Sequence, residues 1–306
     1  MLNKHYSTRY KKLKMLNLCL FHHLQNLHHH FSTVLIEINW YTASCKYYYC
    51  SGLTSVTIGN SVTSIGQDAF RDCSGLTSVT IPNSVTSISK FGFFGCTGLT
   101  AIKVDSENTK YDSRDNCNAI IETETNTLIT GCKNTVIPNS VTIIGEYAFY
   151  DLTGMPTITI PKSVEKICYG ALAYWDNSPR DSLGIKNINI EELSQAFKIK
   201  EQNGAEINYF LSYRKLLLNG KEISELVIPE GIDTVSGILS GASQFKSLVI
   251  PKTVKEISFS IFENCKDLMY VYSNSTTPPV MQTGWVGNGF SSKFAASKKK
   301  DRIFFA

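Results

Sequence analysis

The sequence predicts a β-rich α/β solenoid, a stack of 23-residue units with short strands and short helical or 3₁₀ turns. The first observation is a duplication: CSGLTSVTIGNSVTSIGQDAFRD (50–72) and CSGLTSVTIPNSVTSISKFGFFG (73–95) agree at 16 of 23 positions. The second is that the apolar residues at fixed positions of these two segments recur at the same positions along most of the chain; we call each such set of positions a column. A fixed period of this length is typical of repeats that bury their apolar faces against one another.

Each unit opens with the spacing L-x-x-V-x-I, which predicts a short strand. Because side chains alternate along a strand, Val56 and Ile58 are expected to point inward, and Ser55 and Thr57 outward. A turn follows at residues 59–60, where glycine and asparagine tolerate tight backbone geometry.

The second half of the unit is a further extended segment and a closing turn. Val62 and Ile65 are expected to face inward, and a Gly-x-x-Ala-Phe stretch ending at Phe70 predicts a single helical or 3₁₀ turn. Burying about six apolar side chains does not offset the entropy of ordering a unit of roughly 23 residues. A unit therefore folds only when it stacks on its neighbours.

Three inward columns and one aromatic column define the extent of the repeat, which we place at 50–275. The inward columns are Ile58, Ile81, Val104, Ile137, Ile160, Ile228 and Ile250; Val62, Val85, Val141, Val164, Ile232 and Val254; and Ile65, Ile88, Ile144, Ile167, Val235 and Ile257. The closing column is Phe70, Phe93, Phe149 and Phe262, with Leu172 in one unit, and it is lost at 236–239.

Residues on either side of the repeat do not match it. Residues 1–49 are expected to be a non-repeat extension or a degenerate cap, in which 31–49 could form a first coil. Lys11–Lys14 and Met15–Phe21 have the outline of an export signal, but the apolar run stops at His22. The histidine cluster that follows could bind metal adventitiously, but we interpret it as part of a poorly ordered or accidental extension. Residues 276–306 are expected to be a C-terminal cap or a loose tail.

Two longer segments interrupt the period without ending it. At 105–131 a polar stretch precedes two β-like segments, 118–122 and 127–130, which predict a hairpin or an enlarged coil. At 176–225 the pattern predicts a loop, a strand over 185–190, a helix over 191–198, and a hairpin that turns at Asn219-Gly220. We expect both segments to continue the stack as irregular units.

The cysteines Cys50, Cys73, Cys96 and Cys265 share one column of the repeat. We interpret this column as buried reduced thiols that act as small hydrophobic side chains. Disulfides between adjacent units are the second interpretation, and they would require a specific Cβ geometry. Zinc is the third, since the sequence has no paired C-x-x-C with histidine nearby.

Catalytic, metal and cofactor motifs are missing from the repeat. All six histidines precede residue 31, which excludes a Ser-His-Asp catalytic triad or a Cys-His catalytic pair in the solenoid. Phosphate-loop and H-E-x-x-H motifs do not occur, and Asp105–Asn108 only superficially matches a calcium loop. A repeat body close to neutral argues against nucleic acid, and no apolar run is long enough for a transmembrane helix. We therefore expect no enzyme and no cofactor.

The columns, above all LTSVTIPNSVTSI followed by an Ala-Phe pair and a cysteine, resemble the leucine-rich repeats of BspA-like bacterial surface proteins over roughly 50–275. The segments NCNAIIETETNTLITGCKNTVIP and KLLLNGKEISELVIP resemble the long-repeat variants of that family. The resemblance implies a secreted or cell-surface protein that binds extracellular or host proteins, or other cell-surface components. It implies no catalytic residues.

The candidate binding residues are the outward positions of the strands, where no Trp, Tyr or Arg cluster recurs. They are either solubilising β-formers or a polar recognition surface of many weak contacts. The predicted residues are Ser55, Thr57, Ser78, Thr80, Lys103, Thr157 and Thr159, with Ala101 in the same rows. The leading hypothesis is adhesion or protein recognition; the alternatives are a structural spacer from a larger surface protein and, more remotely, a glycan-processing enzyme.

Overall fold

The computed structural model describes residues 34–38, 42–43, 51–172, 184–201, 214–235, 244–257, 265, 267–275, 279–281, 296–299 and 302–305. Only the backbone is described for 34–38, 42–43, 200–201, 281, 296–299 and 302–305. The predicted export signal and histidines, Cys50, the loop at 176–183, residues 236–239 and Phe262 lie outside the described residues.

The chain divides into two compact units. Unit 1 is Met1–Glu124, Leu128–Val136 and Phe149–Leu152, and unit 2 is Thr125–Thr127, Ile137–Ala148 and Thr153–Ala306. Both consist mostly of short strands, with two short helical segments among the described residues.

Unit 1 contains two parallel sheets and one smaller group of strands. The sheets have the orders β1-β3-β5-β7 and β2-β4-β6, and β9 lies between β8 and β10. The strands are β1 (Val34–Ile38), β2 (Thr42–Ala43), β3 (Leu53–Ile58), β4 (Ser64–Ile65), β5 (Ser78–Ile81), β6 (Ser87–Ile88), β7 (Ala101–Val104), β8 (Tyr111–Asp112), β9 (Ala119–Glu122) and β10 (Thr127–Gly131).

The duplicated sequence sets the strand register in unit 1. Ser55 pairs with Ser78, and Ser78 pairs with Ala101, so equivalent positions of consecutive 23-residue repeats lie side by side. The strand β1 continues this sheet through its parallel pairing with β3. Most residues of the predicted inward columns are buried, as predicted, whereas Ile88, Val104 and Ile232 are only half-buried.

The closing stretch of the 23-residue repeat consists of successive turns. The Ala69 N–H donates to the Gly66 carbonyl, and the Cys73 N–H donates to the Phe70 carbonyl, each three residues back. Asp68 has a φ of 57°, a left-handed conformation that interrupts regular helix. The Phe70 ring nevertheless reaches the core and stacks on Phe93 at 5.1 Å between ring centroids.

The first irregular segment contains the two predicted strands. Strands β9 and β10 are neighbours, as the two β-like segments predict, and β8 pairs antiparallel with β9. A 3₁₀ segment, Arg114–Asn116, precedes them, and Asp115 within it has a φ of 57°. The polar stretch before it includes Asn108, which is buried at 8% exposure.

Unit 2 contains three sheets and one further group of parallel strands. Their orders are β11-β13-β15, β12-β14-β16-β17, β18-β20-β22-β25-β24 and β19-β21-β23. The strands are β11 (Ile143–Ile144), β12 (Thr157–Ile160), β13 (Lys166–Ile167), β14 (Asn187–Ile190), β15 (Lys200–Glu201), β16 (Lys215–Leu218), β17 (Lys221–Glu222), β18 (Glu225–Val227), β19 (Thr234–Val235), β20 (Ser247–Ile250), β21 (Glu256–Ile257), β22 (Tyr270–Ser273), β23 (Val280–Met281), β24 (Ala296–Lys299) and β25 (Arg302–Phe305).

The second irregular segment also follows its sequence pattern. The predicted strand is β14, and the predicted helix is α1 (Leu193–Lys198). The predicted hairpin is β16–β17, an antiparallel pair in which Asn219 and Gly220 have φ values of 51° and 77°. Two consecutive positive φ angles are typical of the type I′ turn that Asn-Gly favours.

Candidate recognition surface

The predicted surface residues lie on the side of the strands opposite the core. In β5 the side chains alternate, so that Ser78 and Thr80 are exposed while Val79 and Ile81 are buried. Of the other predicted residues, Thr57, Lys103 and Thr159 are exposed, and Ser55 and Thr157 are half-buried. The alternation predicted from the sequence is therefore confirmed.

In unit 1 the outward residues form rows across the parallel sheet. One row joins Ser55, Ser78 and Ala101, and in the next Thr80 lies beside Lys103. The side chains of Ser55, Thr57, Ser78, Thr80 and Lys103 form no hydrogen bond with another described residue. This face consequently offers hydroxyl groups and one ammonium group whose orientations are not fixed by neighbours.

In unit 2 the outward residues of β12 are paired with asparagines of β14. Thr157 lies beside Asn187, and the Asn187 Nδ2 donates to the Thr157 Oγ1 at 3.0 Å. Thr159 lies beside Asn189, whose Nδ2 donates to the Thr159 Oγ1 at 3.2 Å. We name these four residues the Thr–Asn patch. The two asparagines were missed by sequence reasoning, although the alternation NINI at 187–190 repeats TITI at 157–160.

The hairpin β16–β17 supports one side of the Thr–Asn patch. The Gly220 N–H donates to the Asn189 Oδ1 at 2.7 Å, and the Asn219 Nδ2 donates to the Glu191 carbonyl at 3.1 Å. Lys215 pairs with Asn187 across the sheet, and its Nζ lies 2.9 Å from the Glu222 Oε2. The ammonium of this neighbouring lysine is thus balanced by a carboxylate.

A second outward surface of unit 2 is aromatic and aliphatic. On β22 the Tyr270 and Tyr272 rings stack with centroids 6.2 Å apart. Val249 lies beside Tyr272 and Val227 beside Val249 in the same sheet, and Val227 is 48% exposed. Sequence reasoning missed this aromatic and aliphatic surface, because it depends on the register of three strands, which brings the valines beside the tyrosines.

The described cysteines belong to the interior. Cys73, Cys96 and Cys265 are buried reduced thiols, which agrees with the first interpretation of the cysteine column. The Cys96 Sγ donates to the Phe70 carbonyl at 2.9 Å, and burial raises the pKa of this thiol. Burial likewise raises the pKa of Cys117, to about 11. Thiols with raised pKa values are poor nucleophiles and poor metal ligands at neutral pH.

Charged residues of unit 1 serve the packing of the turns. The Arg71 guanidinium lies 3.3 Å from carboxylate oxygens of both Asp68 and Asp72, and 4.7 Å from the centre of the Phe94 ring. Within the described ranges no three His, Cys, Asp or Glu side chains are placed to hold a metal ion. No described helix has the length and apolar character needed to cross a membrane.

Comparison with solved structures gives bacterial leucine-rich repeat proteins. A leucine rich cell surface protein from Faecalibacterium prausnitzii is 24% identical, with 80% of this chain and 60% of that protein covered and a TM-score of 0.47. A leucine-rich repeat protein from Eubacterium ventriosum is 19% identical, with 82% and 74% covered and a TM-score of 0.44. The pneumococcal vaccine antigen PcpA is 19% identical, with 79% and 57% covered and a TM-score of 0.43. This chain therefore spans less than two thirds of the first and third of these proteins.

No curated protein matches the chain. The model of the BspA type leucine rich repeat region, in contrast, matches residues 42–130 and 125–269 in six copies. These ranges cover well over half of the chain and include the strands of both units from β2 to β21. The chain belongs to the BspA-type leucine-rich repeat family.

Proposed function

We propose that this protein is a non-catalytic recognition module that mediates adhesion or protein binding through the exposed face of its parallel sheets. The observation that carries the proposal is the division of each strand into a buried apolar side and an outward polar side, as in β5. Rows such as Ser55, Ser78 and Ala101 then form a continuous surface across successive strands. Many weak contacts along such a surface add up, which is how repeat proteins bind extended partners.

The architecture that we propose is a solenoid of 23-residue units over 50–275, with an extension or cap at 1–49 and a cap or tail at 276–306. The side-chain hydrogen bonds from Thr77 to the Thr54 carbonyl and from Thr100 to the Thr77 carbonyl both span 23 residues. They support a regular step in unit 1. The segments at 105–131 and 176–225 are longer units of the same stack.

The proposed partners are extracellular or host proteins, or other components of cell surfaces, and the proposed location is the cell surface or the exterior. Two features support a binding role rather than an enzymatic one. The sequence has no histidine after residue 30, and the thiols of Cys96 and Cys117 have raised pKa values that disfavour nucleophilic chemistry. Among the predicted surface residues of β3, β5 and β7, Lys103 is the one charged side chain, which is too little positive charge to favour nucleic-acid binding.

The test is adhesion of the purified full chain to a surface coated with basement-membrane extract and to intact bacterial cells. We expect saturable binding that is reduced at least tenfold by Ser78→Asp with Thr80→Asp, because two carboxylates would replace neutral hydroxyls at the centre of the sheet face. The matched control is Ser61→Asp, an exposed serine in the turn after β3. No binding by the unaltered chain would favour the structural-spacer hypothesis instead, and equal binding by both variants would exclude this face.

A further inference from the structure

Two of the seven predicted surface residues differ from the rest in being held by side-chain hydrogen bonds. Thr157 and Thr159 each accept an amide N–H from the adjacent asparagine, at 3.0 Å and 3.2 Å. The other five form no hydrogen bond with another described residue. The Thr–Asn patch is therefore the part of the predicted surface whose polar groups have fixed directions.

The direction of the Asn189 amide follows from its neighbour. A backbone N–H can only donate, so the bond from the Gly220 N–H identifies the side-chain oxygen of Asn189 as the acceptor. The amide nitrogen must then face Thr159, where it donates to the hydroxyl oxygen. Because that oxygen already accepts a hydrogen bond, its own O–H hydrogen remains available, and no described residue accepts it. A relay from Gly220 through Asn189 to Thr159 thus ends in a hydroxyl donor on the exposed face.

The remaining hydrogen-bonding groups of the Thr–Asn patch include both donors and acceptors. Each threonine has a hydroxyl hydrogen, each asparagine has a second amide N–H, and the Asn187 Oδ1 has no donor among the described residues. The threonines on β12 are two residues apart, which separates them by about 6.6 Å along a strand. The four side chains are uncharged, and the adjacent Lys215 is paired with Glu222.

We infer that the Thr–Asn patch is a binding site for uncharged glycans. This inference rests on the proposed function, in which the outward sheet face is the binding surface, and it names a ligand class for one part of that face. Sugar hydroxyls donate and accept at once, so neighbouring hydroxyls of a pyranose ring match a surface that alternates donors and acceptors. A neutral patch offers no charge to compensate the carboxylates of acidic glycans or the basic side chains of a cationic peptide.

Pre-ordering makes this patch a better glycan site than the hydroxyl rows of unit 1. Each hydrogen bond to a ligand is worth little in water, so the entropy of fixing a side chain can cancel it. Thr159 and Asn189 are fixed before the ligand arrives, whereas the Thr80 side chain forms no hydrogen bond with another described residue. Ligand contacts in the Thr–Asn patch therefore retain more of their binding free energy.

The experiment uses the full chain on an array of neutral and acidic oligosaccharides, followed by titration with the neutral oligosaccharide that gives the strongest signal. We expect Thr159→Val, which has the same shape without a hydroxyl, to weaken binding about three- to tenfold. Asn189→Asp keeps an acceptor for Gly220 but removes the donor to Thr159, so the threonine O–H turns inward and binding falls similarly. The control is Thr109→Val, an exposed threonine outside the predicted surface rows, for which unchanged binding is expected.

Melting temperatures within a few degrees of the unaltered chain would show that each variant is folded. The inference is overturned if no neutral oligosaccharide binds, if only acidic ones bind, or if Thr157→Val with Thr159→Val leaves the affinity unchanged. Adhesion that persists and responds to the Ser78 and Thr80 substitutions, without glycan binding, overturns this inference and leaves the proposed function standing. Loss of both adhesion and glycan binding overturns the inference and the proposed function together.

Discussion

The side-chain amide of Asn108 donates a 2.8 Å hydrogen bond to the carbonyl of Pro82, in the turn of the preceding unit. The same nitrogen donates to the Val85 carbonyl at 3.0 Å. The oxygen accepts from the backbone N–H groups of Lys110 and Tyr111, both at 2.9 Å. With 8% exposure, Asn108 is a buried amide whose hydrogen bonds connect the first irregular segment to the regular unit before it.

Replacing Asn108 by alanine should lower the free energy of unfolding by about 3 kcal/mol, because several buried backbone groups lose their partners at once. Urea denaturation followed by circular dichroism measures this change. The matched control is Asn83→Ala, an exposed asparagine that donates to the Glu107 carboxylate at 3.1 Å. We expect less than about 0.5 kcal/mol there, since exposed polar contacts contribute little. Equal losses for the two variants would show that burial of the Asn108 amide is unimportant.

Similar amides occur in unit 2. The Gln195 Nε2 donates to the carbonyls of Ile160 and Pro161, at 2.9 Å and 2.6 Å. The Gln244 Nε2 donates to the carbonyls of Leu216 and Ile223, at 2.8 Å and 2.7 Å. In each case one side chain satisfies two carbonyl groups far away in sequence. These hydrogen bonds hold the irregular segments against neighbouring strands and turns where the 23-residue repeat is interrupted.

Gly131, the last residue of β10, lies against the aromatic ring of Phe149. A Cβ at this position would come within 2.1 Å of the ring carbon Cε1, a distance that forces the ring or the strand to move. We expect Gly131→Ala to cost about 1–3 kcal/mol of stability, as overpacking of a core does. Gly52→Ala is the control, because a Cβ there meets no atom within 4 Å. Thermal unfolding of the two variants should differ by several degrees, and the absence of a difference would contradict the packing of Phe149.

Thiol reactivity should follow burial. Of the six cysteines that the structure describes, Cys168 is half-buried and the other five are buried. Alkylation of the native protein at pH 8, with peptide mass spectrometry, should therefore modify Cys168 before Cys73, Cys96 or Cys132. Denaturation in urea should make all of them react, which is the control for intrinsic reactivity. Rapid alkylation of Cys96 in the native protein would contradict its place in the core.

The thiol of Cys117 should make stability depend on pH in the alkaline range. Its pKa rises from 9.0 to about 11, chiefly through burial. Between these values the unfolded chain releases the thiol proton while the folded protein keeps it, so the free energy of unfolding falls as pH rises. Below pH 9 this contribution is constant. Urea denaturation between pH 8 and 11 should show a smaller decline for Cys117→Ala than for the unaltered chain, and identical declines would contradict the burial of this thiol.

The inward half of the structure could be predicted from the sequence, because period and alternation are local. Val56 and Ile58 are buried as predicted, and so are their counterparts Val79 and Ile81 one unit later. The Asn219-Gly220 turn was also predictable, since few residues adopt two consecutive positive φ angles. These features depend on short stretches of chain and on chemistry that each residue carries by itself.

The polar contacts could not be predicted, because they depend on register between strands of unequal spacing. Asn187 lies beside Thr157 although 30 residues separate them, a step that differs from the 23 residues of the regular units. Asn108 sits in a segment that composition marks as a polar loop, yet its side chain is buried by hydrogen bonds to the preceding turn. The polar composition of this segment therefore does not indicate that Asn108 is buried. Predicting its burial requires knowing how the segment packs against the preceding turn.

The hydrogen bond from Gly220 to Asn189 can be tested without any ligand. Because the Gly220 N–H lies in an exposed turn, it should exchange quickly with solvent unless the 2.7 Å bond to the Asn189 Oδ1 is formed. We expect slowed exchange of this amide in the unaltered chain, measured by NMR, and fast exchange in Asn189→Ala. Asn189→Asp should retain the slowed exchange, since a carboxylate oxygen accepts the same bond. Fast exchange in the unaltered chain would remove the fixed orientation of Asn189, and with it the reason why Thr159 differs from the other hydroxyls of the sheet face.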